Sequence, residues 1–332
     1  ALELLAQEGV DIVVSDMRMP EMDGGDLLSE VQKQYPWIVR IILSGYTDYE
    51  STIKTIRPAH KFLSKPCPQE TLTAAIKHLD LLKKLLPDEK LRLAVTGIDT
   101  LASRPMTYAM LVQNLFQEEG GLIEDSLSYD AAMSANILKL VVNAFLGPSQ
   151  RLPTLQEAPS LLGVEVLKKL VVAESVFCTY QDMDINFFSL DTLWQHTRRT
   201  AYLARKITQL QGGDEKTAND AFLAGLLHDI GKLVLISLFP ERYQNVLNIS
   251  HGQNVLLADT EKKEFGVTHA EVGGYLLGLW GLPLNVIEAI TFHHNPSQMN
   301  KKEFSVLTSV HVANVLDHHL LVLDKQRVIP KQ

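Results

Sequence analysis

Residues 1–86 alternate strand-like runs with amphipathic segments, and that alternation constrains the fold more than any other feature. Asp11–Ser15 is a short apolar run suited to a buried parallel strand, and Trp37–Leu43 and Lys61–Ser64 read as further strands. Ala1–Gln7, Gly24–Gln34, Asp48–Ile56 and Pro68–Leu86 carry helical spacing. Strands alternating with helices predict a parallel sheet with helices on both faces. Pro87-Asp88-Glu89-Lys90 reads as a hinge. From Leu91 onward the pattern predicts helices only, broken at Gly120-Gly121, Gly147-Pro148, Pro153, Pro159, Gly212-Gly213, Pro240, Gly281 and Pro296. A chain of 332 residues, at roughly 150 per domain, suits about two domains.

Composition narrows the function. The net charge of -8 and pI of about 5.8 argue against a general nucleic-acid or acidic-membrane binder, which needs a basic surface. Cys67 and Cys178 stand far apart and form no CxxC pair, so they read as reduced thiols of a cytoplasmic protein. No uninterrupted apolar run approaches a membrane span, and the N-terminus is acidic and amphipathic, unlike a signal peptide.

Two constellations carry chemistry. In an open α/β sheet, ligands sit beyond the carboxyl ends of the strands. Asp16 closes the first strand and can act as a nucleophile toward phosphorus; Ser44 closes the second and can hydrogen-bond a phosphoryl oxygen; Lys65 closes the third and can pair with its charge. Taken singly these are an N-cap, a turn serine and a surface lysine. At successive strand ends they form a set. The runs DIVVSDMRMPEMDG, RIILSGYTD and KFLSKPC resemble the receiver domain of two-component response regulators. That resemblance implies a flavodoxin-like doubly wound parallel sheet, with Asp16 as phosphoacceptor, Ser44 and Phe62 as switch residues, Lys65 as the family lysine and the Arg18 carbonyl as a Mg2+ ligand. It also implies a sensor histidine kinase as partner. The family's first two strands and first helix have no counterpart here, so the expected sheet is cut from order 2-1-3-4-5 to 3-4-5. The strand bearing Asp16 is then left at an open edge, and the chain reads as a fragment with an incomplete Mg2+ site.

The second constellation is histidine-rich. Asp191 and Asp214 read as helix starts. The first of these helices has an expected inward face of Leu193, His196, Thr200, Leu203, Ile207 and Leu210. The next places Ala218, Phe222, Gly225, His228, Asp229 and Lys232 near one face. Thr268 and Glu271 form a capping box that puts His269 in a first turn. A helix begun by Pro283 ends at His293-His294, and a last helix carries Leu307, His311, Asn314 and His318 on one face. Imidazoles and a carboxylate on facing helices are ligands for Zn, Fe, Mn or Ni. His251, His318 and His319 read as solvated or structural, and His78 as a surface residue.

The segments LWQHTRRTAYLARKI, AFLAGLLHDIGKLVL, FGVTHAEVGGYLLGLWGLP, AITFHH and VHVANVL resemble the HDOD domain, an all-α relative of HD phosphohydrolases and HD-GYP phosphodiesterases. IDTLASRPMTYAMLVQNL and SYDAAMSANILKLVVNAFLG resemble its N-terminal half. By this resemblance His196, His228 and Asp229 match the HD metal set, His269, His293 and His294 the additional ligands, and Lys232 a phosphate contact. Two departures stand against an enzyme. Asn314, a neutral amide, occupies the place of the last metal-binding Asp, and Asn295-Pro296-Ser297 replaces the GYP signature.

The expected organisation is a receiver over 1–86, a linker over 87–94 and an HDOD domain over 95–325, divided at about 175. The expected function is a response regulator phosphorylated on Asp16, whose output domain acts through an unidentified protein partner and binds metal weakly or partially. A receiver-regulated, metal-dependent phosphohydrolase or phosphodiesterase is the alternative, with the metal as Lewis acid. Self-association into a homodimer is left open, and a DNA-binding effector is disfavoured.

Overall fold

A computed structural model describes residues 1–44, 58–101, 130–145, 154, 157, 187–299 and 303–326. The expected helix Asp48–Ile56, most of the expected N-terminal half of the output domain, and Cys178 lie outside the described residues.

The sheet has three parallel strands in the order β1 (Ile12–Asp16), β2 (Val39–Ser44) and β3 (Lys61–Ser64). Asp16 lies opposite Leu43, and Ser44 opposite Ser64, so all three strands end level. Among the described residues β1 pairs on one side only, as the open-edge expectation required. β2 starts two residues later than its pattern suggests, because Trp37 sits in a turn and stays exposed. Helix α1 spans Leu2–Gln7 and α2 Gly24–Gln34. The Asp23 carboxylate caps α2 by accepting from the Asp26 N–H at 2.8 Å. Leu27 and Val31 of α2 pack with Leu5 and Ile38 in a small core. Gly24 lies so near the Asp16 carbonyl that a β-carbon there would come within 2.1 Å of its oxygen.

Helix α3 (Gln69–Lys83) is shorter than the expected Pro68–Leu86; Pro68 is its N-cap, and Ala75, Leu79 and Leu82 form its buried stripe. His78 is half-buried and hydrogen-bonds the Gly278 carbonyl, so it is not the surface residue expected. The expected hinge starts a helix, α4 (Glu89–Thr96). Asp88 caps it by accepting from the Leu91 N–H at 2.8 Å, and Leu91 and Val95 are buried.

The chain forms two compact units, Ala1–Met183 with Tyr275–Leu282, and Asp184–Gly274 with Pro283–Gln332. The first holds the sheet, α1–α4 and α5 (Ala131–Phe145). Its polar hub is Arg40, fully buried on β2. The guanidinium donates to the Pro36 and Ile38 carbonyls, both at 2.9 Å, and to Asp99 Oδ1 at 2.7 Å. His60 Nδ1 accepts from the Arg40 N–H at 3.0 Å, so Nε2 carries the proton and donates to the Thr96 carbonyl at 2.9 Å.

The second unit is helical: α6 (Leu190–Leu210), α7 (Glu215–Leu227), α8 (Ile230–Leu238), α9 (Pro240–Gln253), α10 (Leu257–Phe265), α12 (Leu284–Phe292) and α13 (Val306–Gln326). Helix α11 (His269–Leu279) contributes residues to both units. Ser189, not Asp191, caps α6, whereas Asp214 caps α7 as expected. The buried residues of α6 are Leu193, Trp194, His196, Thr197, Thr200, Ala201, Ala204 and Thr208; Leu210 is 72% exposed, against expectation. Where α7 comes nearest, at Ala201, the face is small because the two backbones approach closely there. A β-carbon at Gly225 would lie 2.8 Å from the Ala201 Cα. Glu215–Leu238 has the length and hydropathy of a membrane span, but 83% of that window is buried within the protein, as in a core helix.

Candidate functional site

The His228-Asp229 doublet sits at a helix junction, not inside one helix as its apolar setting suggested. His228 is the C-cap of α7 and Asp229 the N-cap of α8. The break turns both side chains toward three other elements. His196 comes from α6, His269 opens α11, and His293 caps the end of α12 with His294 next to it. The capping box forms as expected, with the Thr268 N–H donating to Glu271 Oε2 at 2.7 Å. All these groups but His294 are buried.

Each buried ring is held by Nδ1. His228 Nδ1 meets the Gly225 carbonyl at 2.7 Å and His293 Nδ1 the Ile290 carbonyl at 2.8 Å. His196 Nδ1 meets Asp317 Oδ2 at 2.7 Å, and His269 Nδ1 meets Glu261 Oε2 at 2.6 Å. Carbonyls and carboxylates only accept, so Nδ1 carries the proton in all four rings. Every Nε2 of a neutral ring then presents a bare lone pair, and these lone pairs converge. His196 and His228 Nε2 lie 3.1 Å apart, and His269 Nε2 lies 3.0 Å from His294 Nε2, where a proton on either ring can bridge the pair. Asp229 Oδ1 and His293 Nε2 are buried without a hydrogen-bond partner among the described residues. Lone pairs facing lone pairs in a buried site repel unless a cation or an added proton lies between them. This donor set fits a divalent cation.

The electrostatics agree. Burial pushes the His228 imidazole down to about 3 and His293 well below the ordinary range, which keeps both neutral and able to ligate. Burial also disfavours a charged Asp229, but the neighbouring histidines and Lys232 outweigh it and hold the carboxyl well below the carboxylate range. Burial opposes the proton on His269; Glu261 overcomes this and raises it. His269 is therefore where a proton stands in for a cation, its Nε2 3.1 Å from Asp229 Oδ1.

Two ligand groups emerge, Asp229 with His269, His293 and His294, and Asp229 with His196 and His228, each with its ligand atoms within 4.8 Å. Asn314 is buried one turn before Asp317 on α13, its Oδ1 without a partner among the described residues. Lys232 pairs with Asp229 Oδ2 at 2.6 Å. His318, expected to be bland, places its ring 4.8 Å from that of His196, whereas His251 stacks on Phe187 away from the cluster. Sequence reading missed Asp317, Glu261 and the groups that brace them. Arg199 forks onto Asp317 at 2.5 and 3.0 Å, and Tyr243 donates to Glu261 at 2.6 Å. Glu261, eight residues before His269 in α10, is a signal that histidine spacing alone does not carry.

The other set lies at the strand ends. Lys65, just past β3, pairs with Asp16 Oδ2, and that hydrogen bond is the main cause lowering the Asp16 carboxyl. The Met17 and Arg18 N–H groups also donate to Asp16. Ser44 ends β2, and Phe62 is buried on β3.

A model of the HDOD domain matches residues 104–296, and a model of the response regulator receiver domain matches residues 1–77. An uncharacterized protein of Treponema pallidum (strain Nichols) is 30% identical over 191 residues, 57% of this chain and 36% of that protein. The transcriptional regulatory protein GlrR of Escherichia coli (strain K12) is 37% identical over 114 residues, 33% of this chain and 25% of that protein. The chain thus spans about a third or less of the length of these relatives. Among solved structures, the MmoQ response regulator of Methylococcus capsulatus str. Bath shares the fold, with TM-score 0.55 and 23% identity, covering 68% of this chain and 89% of that one.

Proposed function

The chain belongs to the HDOD family and carries a response regulator receiver domain at its N-terminal end, and from that premise we propose a phosphorylation-controlled regulator whose HDOD unit holds a divalent cation. Asp16 is the phosphoacceptor and a sensor histidine kinase the donor. The ion pair between Lys65 and Asp16, across the ends of β1 and β3, is the observation that carries this reading. A phosphoryl group on Asp16 would add charge against Lys65 and within reach of the Ser44 strand end, with Phe62 as the aromatic switch. Mg2+ would be held in part by the Arg18 carbonyl. The setting is the cytoplasm.

The output acts by protein interaction. Helix α3, which follows Lys65, packs Leu82 against Gly278 of α11, and α11 begins at His269. A shift of α3 therefore has a stiff element to act on. Phosphorylation by acetyl phosphate with Mg2+ tests the first half. Label should appear in the parent and vanish in Asp16→Asn; equal labelling of both would reject Asp16.

A second reading rests on the converging Nε2 atoms. With a cation bound as Lewis acid, and the partly exposed Lys232 beside Asp229, the site is equipped to engage a phosphate ester. In that reading Asp229 and the histidines hold the cation, and Lys232 meets the phosphate. Hydrolysis of a generic phosphodiester by the parent, abolished in Asp229→Ala, would favour it over interaction alone.

A further inference from the structure

The two ligand groups share Asp229, yet their surroundings differ in charge. Asp229 Oδ1 faces one side, 3.1 Å from His269 Nε2 and 3.9 Å from His293 Nε2. Oδ2 faces the other, 3.5 Å from both His196 Nε2 and His228 Nε2. The first side offers four protein ligand atoms and the second three. Lys232 places its ammonium 2.6 Å from Oδ2, the oxygen that serves the second side. Behind each side stands one carboxylate on a histidine Nδ1. Glu261, behind His269, is fully buried and takes only neutral donors besides that ring, namely the Tyr243 hydroxyl and the His269 N–H. Asp317, behind His196, is spanned by the Arg199 guanidinium.

We propose that the two groups bind cations unequally: Asp229, His269, His293 and His294 hold one divalent cation tightly, and Asp229, His196 and His228 take a second only weakly. Lys232 contacts the Asp229 oxygen on the second side and Arg199 the carboxylate behind it, so both offset negative charge that a metal there would use. Lys232 reaches His269 and His294 only through space. No arginine or lysine contacts Glu261 among the described residues, and its charge reaches the first side through a ring that it orients. Ligand count points the same way. Four protein ligands form a closed shell that fixes an ion, whereas three leave a position open to exchange. This proposal rests on the metal-binding reading of the cluster, and it gives roles to three residues around the six ligands: Glu261 and Asp317 are positioning residues, and Lys232 competes with the second ion.

The test uses the full chain, stripped with chelator and titrated with Zn2+ and with Co2+ against a competing chelator. Metal per chain is counted, and the Co2+ visible bands report four-coordination. One equivalent should bind tightly with tetrahedral bands, and the second should bind about 100-fold or more weakly. Lys232→Met, a partly exposed and mild change, should tighten the second equivalent about tenfold, and by more than it tightens the first. Glu261→Gln should weaken the first by about 10- to 100-fold. Two equivalents of equal affinity would overturn the proposal while leaving the metal-binding reading intact. So would a single tight ion lost in His196→Ala but kept in His294→Ala. No binding at either step would reject the metal-binding reading itself, and the proposal with it.

Discussion

Gly231 lies directly against the backbone of His269: a β-carbon at position 231 would come within 1.9 Å of the His269 carbonyl oxygen. Two residues before Gly231 is Asp229, so this close approach of α8 to α11 is what brings the Asp229 carboxylate to the His269 ring. Backbone cannot move aside as a flexible side chain can. Gly231→Ala should therefore push the two helices apart, costing about 1–3 kcal/mol of stability. It should lower bound metal far more than Gly252→Ala, where nothing lies within 4 Å. Metal content and urea midpoints of the two variants check this; equal metal content would refute the packing argument.

Acid should destabilise the metal-free protein. His228 holds its proton only below about 3 when folded, against 6.5 for a free imidazole. Between those values the unfolded chain binds more protons, so stability rises with pH. The contribution is complete above about pH 6.5 and is lost as pH falls toward 3. Its slope is about 1.4 kcal/mol per pH unit per histidine. His293 and His294 act in the same direction, and His269, raised by Glu261 against its burial, acts oppositely. Urea unfolding in chelator between pH 7.5 and 5 should show the slope, and His228→Asn should reduce it by about one proton. An unchanged slope in that variant would contradict the buried neutral ring.

Asp99 should matter more than its place after a helix suggests. It receives the Arg40 guanidinium at 2.7 Å, and Arg40 is fully buried. Removing one partner of a buried pair leaves an uncompensated charge and costs about 3–5 kcal/mol. Asp99→Ala should lower the thermal midpoint sharply, and the double variant Arg40→Met with Asp99→Ala should recover part of the loss. A double variant no better than Asp99→Ala would show that the penalty is not the stranded arginine.

The sequence made the strand ends legible because strand chemistry is local. An apolar run of four to six residues and the polar residue that ends it sit within one window, so Asp16, Ser44 and Lys65 could be read before any contact was known. The histidine cluster was legible for a different reason: its ligands are rare residue types at family spacings. What escaped reading was what depends on tertiary distance. Asp317 lies 121 residues from His196, and Arg40 lies 59 from Asp99, so no periodicity links either pair. On α6 the expected face ran on to Leu210 because hydropathy rewards size; Leu203 and Ile207 are half-buried, but Leu210 is exposed. The structure instead places Ala201 and Ala204 where Gly225 lets α7 approach. The last helix also brings a carboxylate that the pattern did not announce, Asp317, one turn after Asn314 and behind His196.

Asp317→Asn should separate orientation from ligation. His196, Arg199 and burial act together on Asp317; burial alone would raise its carboxyl, and the two partners bring it down to about 2. The amide keeps the shape and loses the charge. The cost should be about 1.5–3 kcal/mol, typical of a hydrogen bond to a charged group. Binding of the second metal equivalent should weaken about 10- to 100-fold while the first is unaffected. A variant that loses both equivalents together would place Asp317 in the general fold of the site and not behind His196 alone.

Asn314→Asp is the change that adds what the HD pattern has at its last position. Asn314 is buried, and its Oδ1 has no hydrogen-bond partner among the described residues. An amide oxygen already stands there, so a carboxylate fits without added volume. It carries a full charge into a buried position on the helix that also bears Asp317, one turn away, and Arg199 is already engaged by Asp317. Without metal that charge is uncompensated, and the variant should be less stable than the parent in chelator. With metal the added carboxylate should raise occupancy of the weaker group, and stability should rise with metal concentration as binding to the folded state alone requires. The expected signature is thus a crossing: Asn314→Asp melts below the parent in chelator and gains more than the parent from saturating Zn2+. A variant equally destabilised with and without Zn2+ would show that position 314 lies outside the reach of the bound ion.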